Sequence, residues 1–333
     1  MKQILVVLAI YLGVLLAIGV YYSRKSKNMN DYLLAGRSLK LGVAVLTLTA
    51  TLFGGGMLTG TIEYAYLSGP MIFFYMVSSV VGVCGLGLLI KRMADFSSYT
   101  TVTEYLEKRY NSPFLRLACS LLSMIALIGI LGSQVSAVVG ALGALGMKNT
   151  VLGAVIAMAI IIALTTLGGL WAVTMTDCFQ ILLVIFGVFW VMFAALGAHG
   201  GYGNMIAQLE AVSTSLPKDY TTVINGDKSI SLLWALLPMI MYYWIGQDVY
   251  QRLFACKTEQ IAQKTAYISG VLLALLGIPP VIIGMVARLD FPELATSGNT
   301  ASAFASVAIK YLPGFAVGIV LAAIFAAILS TAD

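Results

Sequence analysis

Near its end the chain reads "AAIFAAILSTAD", which sets Ala327, Ser330 and Thr331 at i, i+3 and i+4, on one face of a helix. Two hydroxyls and an exposed backbone oxygen make a hard-oxygen cluster, suited to a monovalent ion rather than a soft metal. The same small, hydroxylated residues also suit close helix packing. A second stretch, "TATLFGGGMLTG" from Thr49 to Gly60, runs Gly54, Gly55 and Gly56 together inside an apolar segment. Each interior glycine costs a helix roughly 1 kcal/mol relative to alanine, so a break is expected here. A break inside a membrane is tolerated only where it lines a cavity or is buried in protein. It frees carbonyls that can coordinate a cation, and the half-helix that follows can point its positive end at a solute. The alternative is simple helix contact, since Gly56 and Gly60 also form a GxxxG spacing.

Ionisable groups in apolar surroundings are functional candidates. Asp177, in "GGLWAVTMTDCFQ", has Thr174, Thr176 and Gln180 within one turn. It reads as a cation ligand or a proton-linked group, against a helix-start carboxylate favoured by the macrodipole. Glu63, seven residues after the glycines, reads either as facing a vestibule or as lying in the headgroup layer. His199 is the only histidine, so no histidine-based metal or catalytic cluster is available. Cys84, Cys119, Cys178 and Cys256 form no CxxC pair and read as small hydrophobes. HExxH and GxSxG are both missing, and Asp177 with Asp333 lacks the rest of a carboxylate dyad; an enzyme is not expected.

Such residues need a membrane scaffold to hold them. The 333 residues are 60% hydrophobic and 10% charged, with mean hydropathy +0.96, against about 25% charged in soluble domains. The apolar runs are far longer than the segments of about ten residues in a transmembrane barrel. The fold expected is all-α and polytopic, with nine helices near 3–22, 40–64, 69–90, 115–145, 149–168, 172–198, 231–250, 263–287 and from 313 onward. The first run, "ILVVLAIYLGVLLAIGVYY", is too long for a signal-peptide core and reads as a retained helix.

Basic residues set the orientation. Arg24, Lys25, Lys27, Arg37 and Lys40, then Lys91, Arg92, Lys108, Arg109 and Arg116, then Arg252, Lys257 and Lys264 fall on one side. Against those thirteen the other side has six: Lys2, Lys148, Lys218, Lys228, Arg288 and Lys310. The richer side is expected to be cytoplasmic and the N-terminus outside. The net charge of +5 then reflects loops facing anionic lipid, not nucleic acid. Outer loops are expected at 199–230 and 288–312, the second with a short surface helix. The segment "YYWIGQDVYQR" is a second interrupted helix, at the place in a block from 231 onward that the glycine run holds in a block at 40–198. Paired breaks of this kind point to a transporter site at the midplane of an inverted repeat.

Five pieces in order, "DYLLAGRSL", "TATLFGGGMLTGTIEYAYLSG", "GGLWAVTMTDCFQ", "GQDVYQRLFACKT" and "AAIFAAILSTAD", resemble the sodium:solute symporters over effectively the whole chain. The resemblance implies a leucine-transporter-like fold, divided as an extra N-terminal helix and loop at 1–39, a first five-helix repeat at 40–198, an extracellular loop at 199–230 and a partial second repeat at 231–333. Members run at least two helices further, so the second repeat is expected to be incomplete here, as a fragment or a truncated product. The resemblance further implies solute uptake driven by Na⁺ through alternating access. Its main sodium site would fall on Ala50 and Phe53 with Ala327, Ser330 and Thr331, and Asp177 would serve a second cation or coupling site. The motifs look most like the choline-transporter branch, but Leu52 and Gly246 stand where cage tryptophans are expected and Trp244 is displaced by two, so the solute stays open.

From position, the solute is expected among Gly54, Gly55, Gly56, Gln134, Tyr243, Trp244 and Gln247. The expected partners are a small organic solute, Na⁺ and membrane lipid, with no nucleic acid and no obligatory protein. The location expected is the cell membrane. The rival readings are a proton-coupled transporter using Asp177 or Glu63, and a channel or solute sensor on the same scaffold.

Overall fold

The computed structural model describes residues 2–23, 28–93, 98–144, 149–223 and 229–332. Arg24, Lys25, Lys27, Lys148, Lys228 and Asp333 lie outside the described residues.

In hydrocarbon every backbone N–H and C=O must find a partner within its own segment, and the apolar runs accordingly coil into helices. The order is α1 (Lys2–Ser23), α2 (Met29–Leu34), α3 (Leu41–Leu52), α4 (Gly55–Ser68), α5 (Phe73–Ile90), α6 (Val102–Tyr110) and α7 (Pro113–Ala144). Then come α8 (Thr150–Ala198), α9 (Tyr202–Ala211), α10 (Ser229–Ile245), α11 (Gln247–Phe254), α12 (Glu259–Leu276) and α13 (Ile278–Asp290). The last are α14 (Glu293–Ser297), α15 (Ala303–Tyr311) and α16 (Gly314–Ala332). Among the described residues five helices are each long and apolar enough to cross a membrane, and α3 with α4 make a sixth span bent by 53°.

All nine expected segments fall on helix, with local corrections. The spans expected at 149–168 and 172–198 are the two parts of α8, divided at Gly169 (φ 57°, ψ −173°), a conformation open to glycine. The span at 263–287 divides at Gly277, ahead of Pro279 and Pro280, which lack backbone donors. The first outer connection holds α9 rather than plain loop, and the second holds two short helices, α14 and α15, where one is expected. Arg252, counted as a loop cation, is 3% exposed within α11.

Both sequence-marked breaks are present. Phe53 leaves α3 at φ −98°, ψ 56°, Gly54 is extended, and α4 begins at Gly55. Gly246 (φ −65°, ψ 116°) separates α10 from α11. Around the breaks, α16 packs against α3, α4 and α8, while α12 packs against α3 and α5. The chain before α3 is joined to the chain after α11: the Leu39 amide donates to the Ala255 carbonyl (3.1 Å) and the Lys257 amide to the Leu39 carbonyl (3.0 Å). Beside that bridge the Arg37 guanidinium donates to the carbonyls of Phe254 (3.3 Å) and Tyr99 (2.7 Å).

At this end of the molecule α6 starts with a capping arrangement. Thr101 Oγ1 accepts from the Glu104 amide (3.2 Å), and Glu104 Oε2 accepts from the Thr100 amide (3.0 Å). The Thr100 amide is the first reason the Glu104 carboxyl lies below its ordinary value; burial opposes it and Lys108 adds to it. A depressed carboxyl contributes stability above its unfolded value and loses it as pH falls through the folded one. Glu104→Gln is therefore expected to flatten the acid limb of the thermal midpoint against pH, read by melting curves between pH 3 and neutrality.

At the other end His199, closing α8, shares Nε2 with the Tyr311 hydroxyl (2.9 Å) and lies 3.4 Å from Asp290. The Tyr311 hydroxyl donates to Asp290 Oδ2 (2.5 Å), and burial followed by that bond pushes the phenol up, keeping it a donor. This cluster ties α8, α13 and α15 together.

Candidate cation and solute site

Where α3 unwinds, its last carbonyls lose their helical partners. The hydroxyls of α16 meet them. Ser330 Oγ donates to the carbonyl of Ala50 (3.1 Å), with that of Ala327 at 3.2 Å, and Thr331 Oγ1 donates to the carbonyl of Thr51 (3.0 Å). Ser330 is 1% exposed and Ala50 and Ala327 are covered, while Thr331 is half-buried, so the cluster is closed at its Ser330 end. Four of the five sodium candidates thus come together: Ala50, Ala327, Ser330 and Thr331. Phe53, the fifth candidate, lies in the turn itself, with its ring buried and its amide bonded to Thr49, and the Thr51 carbonyl joins the cluster as a further backbone oxygen. Thr51 gave no signal because it contributes backbone; its own hydroxyl is turned to the Thr47 carbonyl (2.9 Å).

The glycines make this approach possible. A Cβ on Gly54 would sit 2.0 Å from Thr331 Oγ1, one on Gly55 2.2 Å from an Ile328 side-chain carbon, and one on Gly56 2.2 Å from Ser133 Oγ. Gly60 has open space, so the GxxxG pair is not a helix contact. Gly54→Ala is expected to lower stability by about 1–3 kcal/mol through overpacking and to separate α4 from α16. Gly60→Ala, in an unobstructed helix interior, is expected to leave stability unchanged or raise it by up to ~1 kcal/mol. Paired thermal melts of the two variants check this.

A cavity of about 380 Å³ adjoins the oxygen cluster and shares Thr51, Gly54 and Thr331 with it. Gln134 lines it and accepts from the Gly56 amide (3.1 Å) at the start of α4. Tyr243 lines it and donates to Ser79 Oγ (3.0 Å). Three of the positional solute candidates face elsewhere. Gly55 is turned to Ile328. Trp244 packs on Gly85 and donates to the Gly82 carbonyl (3.0 Å), because the small residues of α5 leave a groove for its ring. Gln247 accepts from the Val102 amide of α6 (3.0 Å). Trp244 and Gln247 line a second cavity, of about 180 Å³, between α6, α7 and the α10–α11 break. Sequence reasoning missed Tyr242 and Asp248, which line both cavities. The signal was the same string, "YYWIGQD", whose break at Gly246 sets Tyr242 and Asp248 on either side of it.

Asp177 is fully buried. Its Oδ2 accepts from Thr47 Oγ1 of α3 (2.5 Å) and lies 4.0 Å from Arg252 Nη2 of α11. Thr47 is one helical turn from Thr51, so the carboxylate stands one turn of α3 from the oxygen cluster. Of its expected companions, Thr176 is spent on its own helix, bonding the Val173 carbonyl (2.8 Å), and Gln180 reaches the Tyr11 hydroxyl (3.4 Å). Thr174 is buried. Glu63, at the far end of α4, is half-buried and accepts a hydrogen bond from Thr300, which ties it to the connection before α15.

A solved structure described as the substrate-bound outward-open state of a Na⁺-coupled sialic acid symporter superposes on 99% of this chain and 70% of its own, with TM-score 0.82 at 23% identity. That likeness gives the class: a leucine-transporter-like membrane fold, with the two broken helices at its centre. The chain belongs to the sodium:solute symporter family, whose model matches residues 32–333; this is a family of multi-pass membrane transporters, not enzymes, with Na⁺ as the coupling ion. Similar proteins include the high-affinity choline transporter 1 of Drosophila melanogaster, 29% identical over 342 residues, covering 96% of this chain and 52% of that protein. The sodium-coupled monocarboxylate transporter 2 of Mus musculus is 26% identical over 285 residues, covering 83% and 45%. The chain spans about half the length of the curated relatives it matches.

Proposed function

We propose that this chain forms the ion- and solute-binding part of a Na⁺-coupled symporter that imports a small polar organic solute by alternating access. The observation that carries the reading is the joining of two helix breaks and one hydroxyl-bearing helix around shared residues. Na⁺ would take the place of the hydroxyl hydrogens now aimed at the Ala50 and Thr51 carbonyls, held by those carbonyls, by that of Ala327 and by the oxygens of Ser330 and Thr331. All of these are hard oxygen donors, as a monovalent cation requires. Because Thr51 and Thr331 also wall the cavity, an ion that fixes them shapes the solute site. Coupling of this kind is reciprocal, so solute must tighten Na⁺ binding by the same factor.

The blocks 40–198 and 231–333 are read as a first repeat and part of a second, each opening on its interrupted helix, with 1–39 and 199–230 as the extra helix and the outer loop. The location proposed is the cell membrane, with the N-terminus outside and the α6 end cytoplasmic, supported by twelve basic residues against six once the buried Arg252 is left out. Asp177 is proposed to influence coupling from one turn away. Its closeness to Arg252 weighs against its acting as a free proton carrier.

The test is thermal stability of the purified protein in detergent, in Na⁺ against K⁺ at equal ionic strength, across a solute panel. A ligand that binds only the folded state stabilises by RT ln(1 + [L]/Kd), so a Na⁺-specific shift that grows with a solute supports symport. A solute that shifts equally in K⁺ and Na⁺, or only with a change of pH, refutes it.

A further inference from the structure

We propose, resting on the solute-transport reading, that the solute is a small organic cation whose positively charged nitrogen is read by Asp248 at the partition between the two cavities. Tyr242 and Asp248 are shared by both cavity walls. The Tyr242 hydroxyl donates to Asp248 Oδ2 (2.7 Å), while Oδ1 is buried with no hydrogen-bond partner. A buried acceptor without a partner is uncommon and calls for an explanation. A carboxylate has acceptor capacity for several donors, and an ammonium group would supply one with charge assistance.

The surroundings select for sign. Among the described residues lining either cavity, Asp248 is the one acidic side chain, and none is Lys, Arg or His. Arg252, one turn further along α11, lines neither cavity and lies beside Asp177. Asp248 occupies the first turn of α11, a position the helix dipole favours for an acidic side chain. The dipole does not supply a counter-charge on the cavity side.

The positive ends of broken half-helices are where such scaffolds seat anionic solute groups. Here that of α4 faces the Gln134 side-chain oxygen, bonded to the Gly56 amide, and that of α11 carries an acidic side chain, Asp248, in its first turn. Neither start is left clear for an anion. Aromatic rings complete the lining, with Tyr75 and Tyr243 on the central cavity and Trp244 and Tyr250 on the second. Their faces attract a cation and are indifferent to an anion's charge at best.

The experiment measures thermal midpoints of the purified protein in Na⁺ and in K⁺ with four probes: tetramethylammonium, ethylammonium, acetate and glycerol. The two cations separate a quaternary headgroup from a protonated amine. The expected result is stabilisation in Na⁺ by at least one cation, at a half-effect concentration at least tenfold below those of acetate and glycerol. Asp248→Asn should raise that concentration at least tenfold while leaving the solute-free Na⁺-over-K⁺ shift intact. Should that variant fail to fold, Asp248→Glu is expected to keep the cation preference and Tyr242→Phe to keep it in weakened form. Acetate or glycerol matching the cations, no response to any probe while Na⁺ still shifts the midpoint, or an unchanged cation response in Asp248→Asn would each overturn the assignment. Loss of the Na⁺-over-K⁺ shift itself is the separate failure of the symport reading.

Discussion

Replacing Ser330 by alanine is expected to weaken Na⁺ binding tenfold to about a hundredfold, and replacing Ser330 and Thr331 together to abolish the Na⁺-specific thermal shift. Hydrogen bonds and contacts to a charged group are each worth about 1.5–3 kcal/mol, which sets the single-variant range. The hydroxyls of Ser330 and Thr331 reach the carbonyls of Ala50 and Thr51 across the α3–α16 contact, so each variant removes one oxygen from the proposed ion shell. Thr331→Ser keeps the hydroxyl and is expected to retain most of the affinity. The measurement is the midpoint as a function of Na⁺ concentration at constant ionic strength. A titration curve unmoved in the double variant would mean that the ion is held elsewhere.

The second large effect concerns Asp177. Alanine there strands the Arg252 guanidinium, 3% exposed and within 4.0 Å of the lost carboxylate, and also strands the Thr47 hydroxyl. Removing one member of a buried ion pair costs about 3–5 kcal/mol, whereas replacing both by apolar groups is often close to neutral. Asp177→Ala is therefore expected to be severely destabilised, and the pair Asp177→Ala with Arg252→Met to recover much of the loss. Chemical or thermal denaturation of the four proteins in a double-mutant cycle measures this coupling. Additive losses would show that the two groups are independent and that Asp177 serves another partner.

Much of this architecture is legible in the residues because its physics is local. A triple glycine breaks a helix wherever it lies, and Ser330 and Thr331 share a face at helical spacing whatever they touch. The breaks at Gly54 and Gly246 and the shared face of Ala327, Ser330 and Thr331 follow from such rules, whereas the meeting of Ala50 with that face, 280 positions away, is an expectation from the family resemblance alone. What position along the chain does not give is the direction of each side chain. Trp244, next to Tyr243 on α10, turns to α5, and Gln247, just past the turn at Gly246, turns to α6. The role of Thr51 is invisible for a different reason: a carbonyl has the same sequence signature at every residue. Arg252 was read as a loop cation because its counter-charge, Asp177, lies 75 positions earlier in the chain.

The backbone bridge at Leu39 has a mechanical meaning. It fastens the root of α3 to the tail of α11, with Arg37 clasping Phe254 alongside and Gln251 holding the Leu33 carbonyl (3.0 Å). The inner halves of the two discontinuous helices are thereby splinted to each other by main chain and side chain together, while their outer halves, α4 and α10, pack on different neighbours, α13 and α5. A displacement of one inner half must therefore carry the other with it.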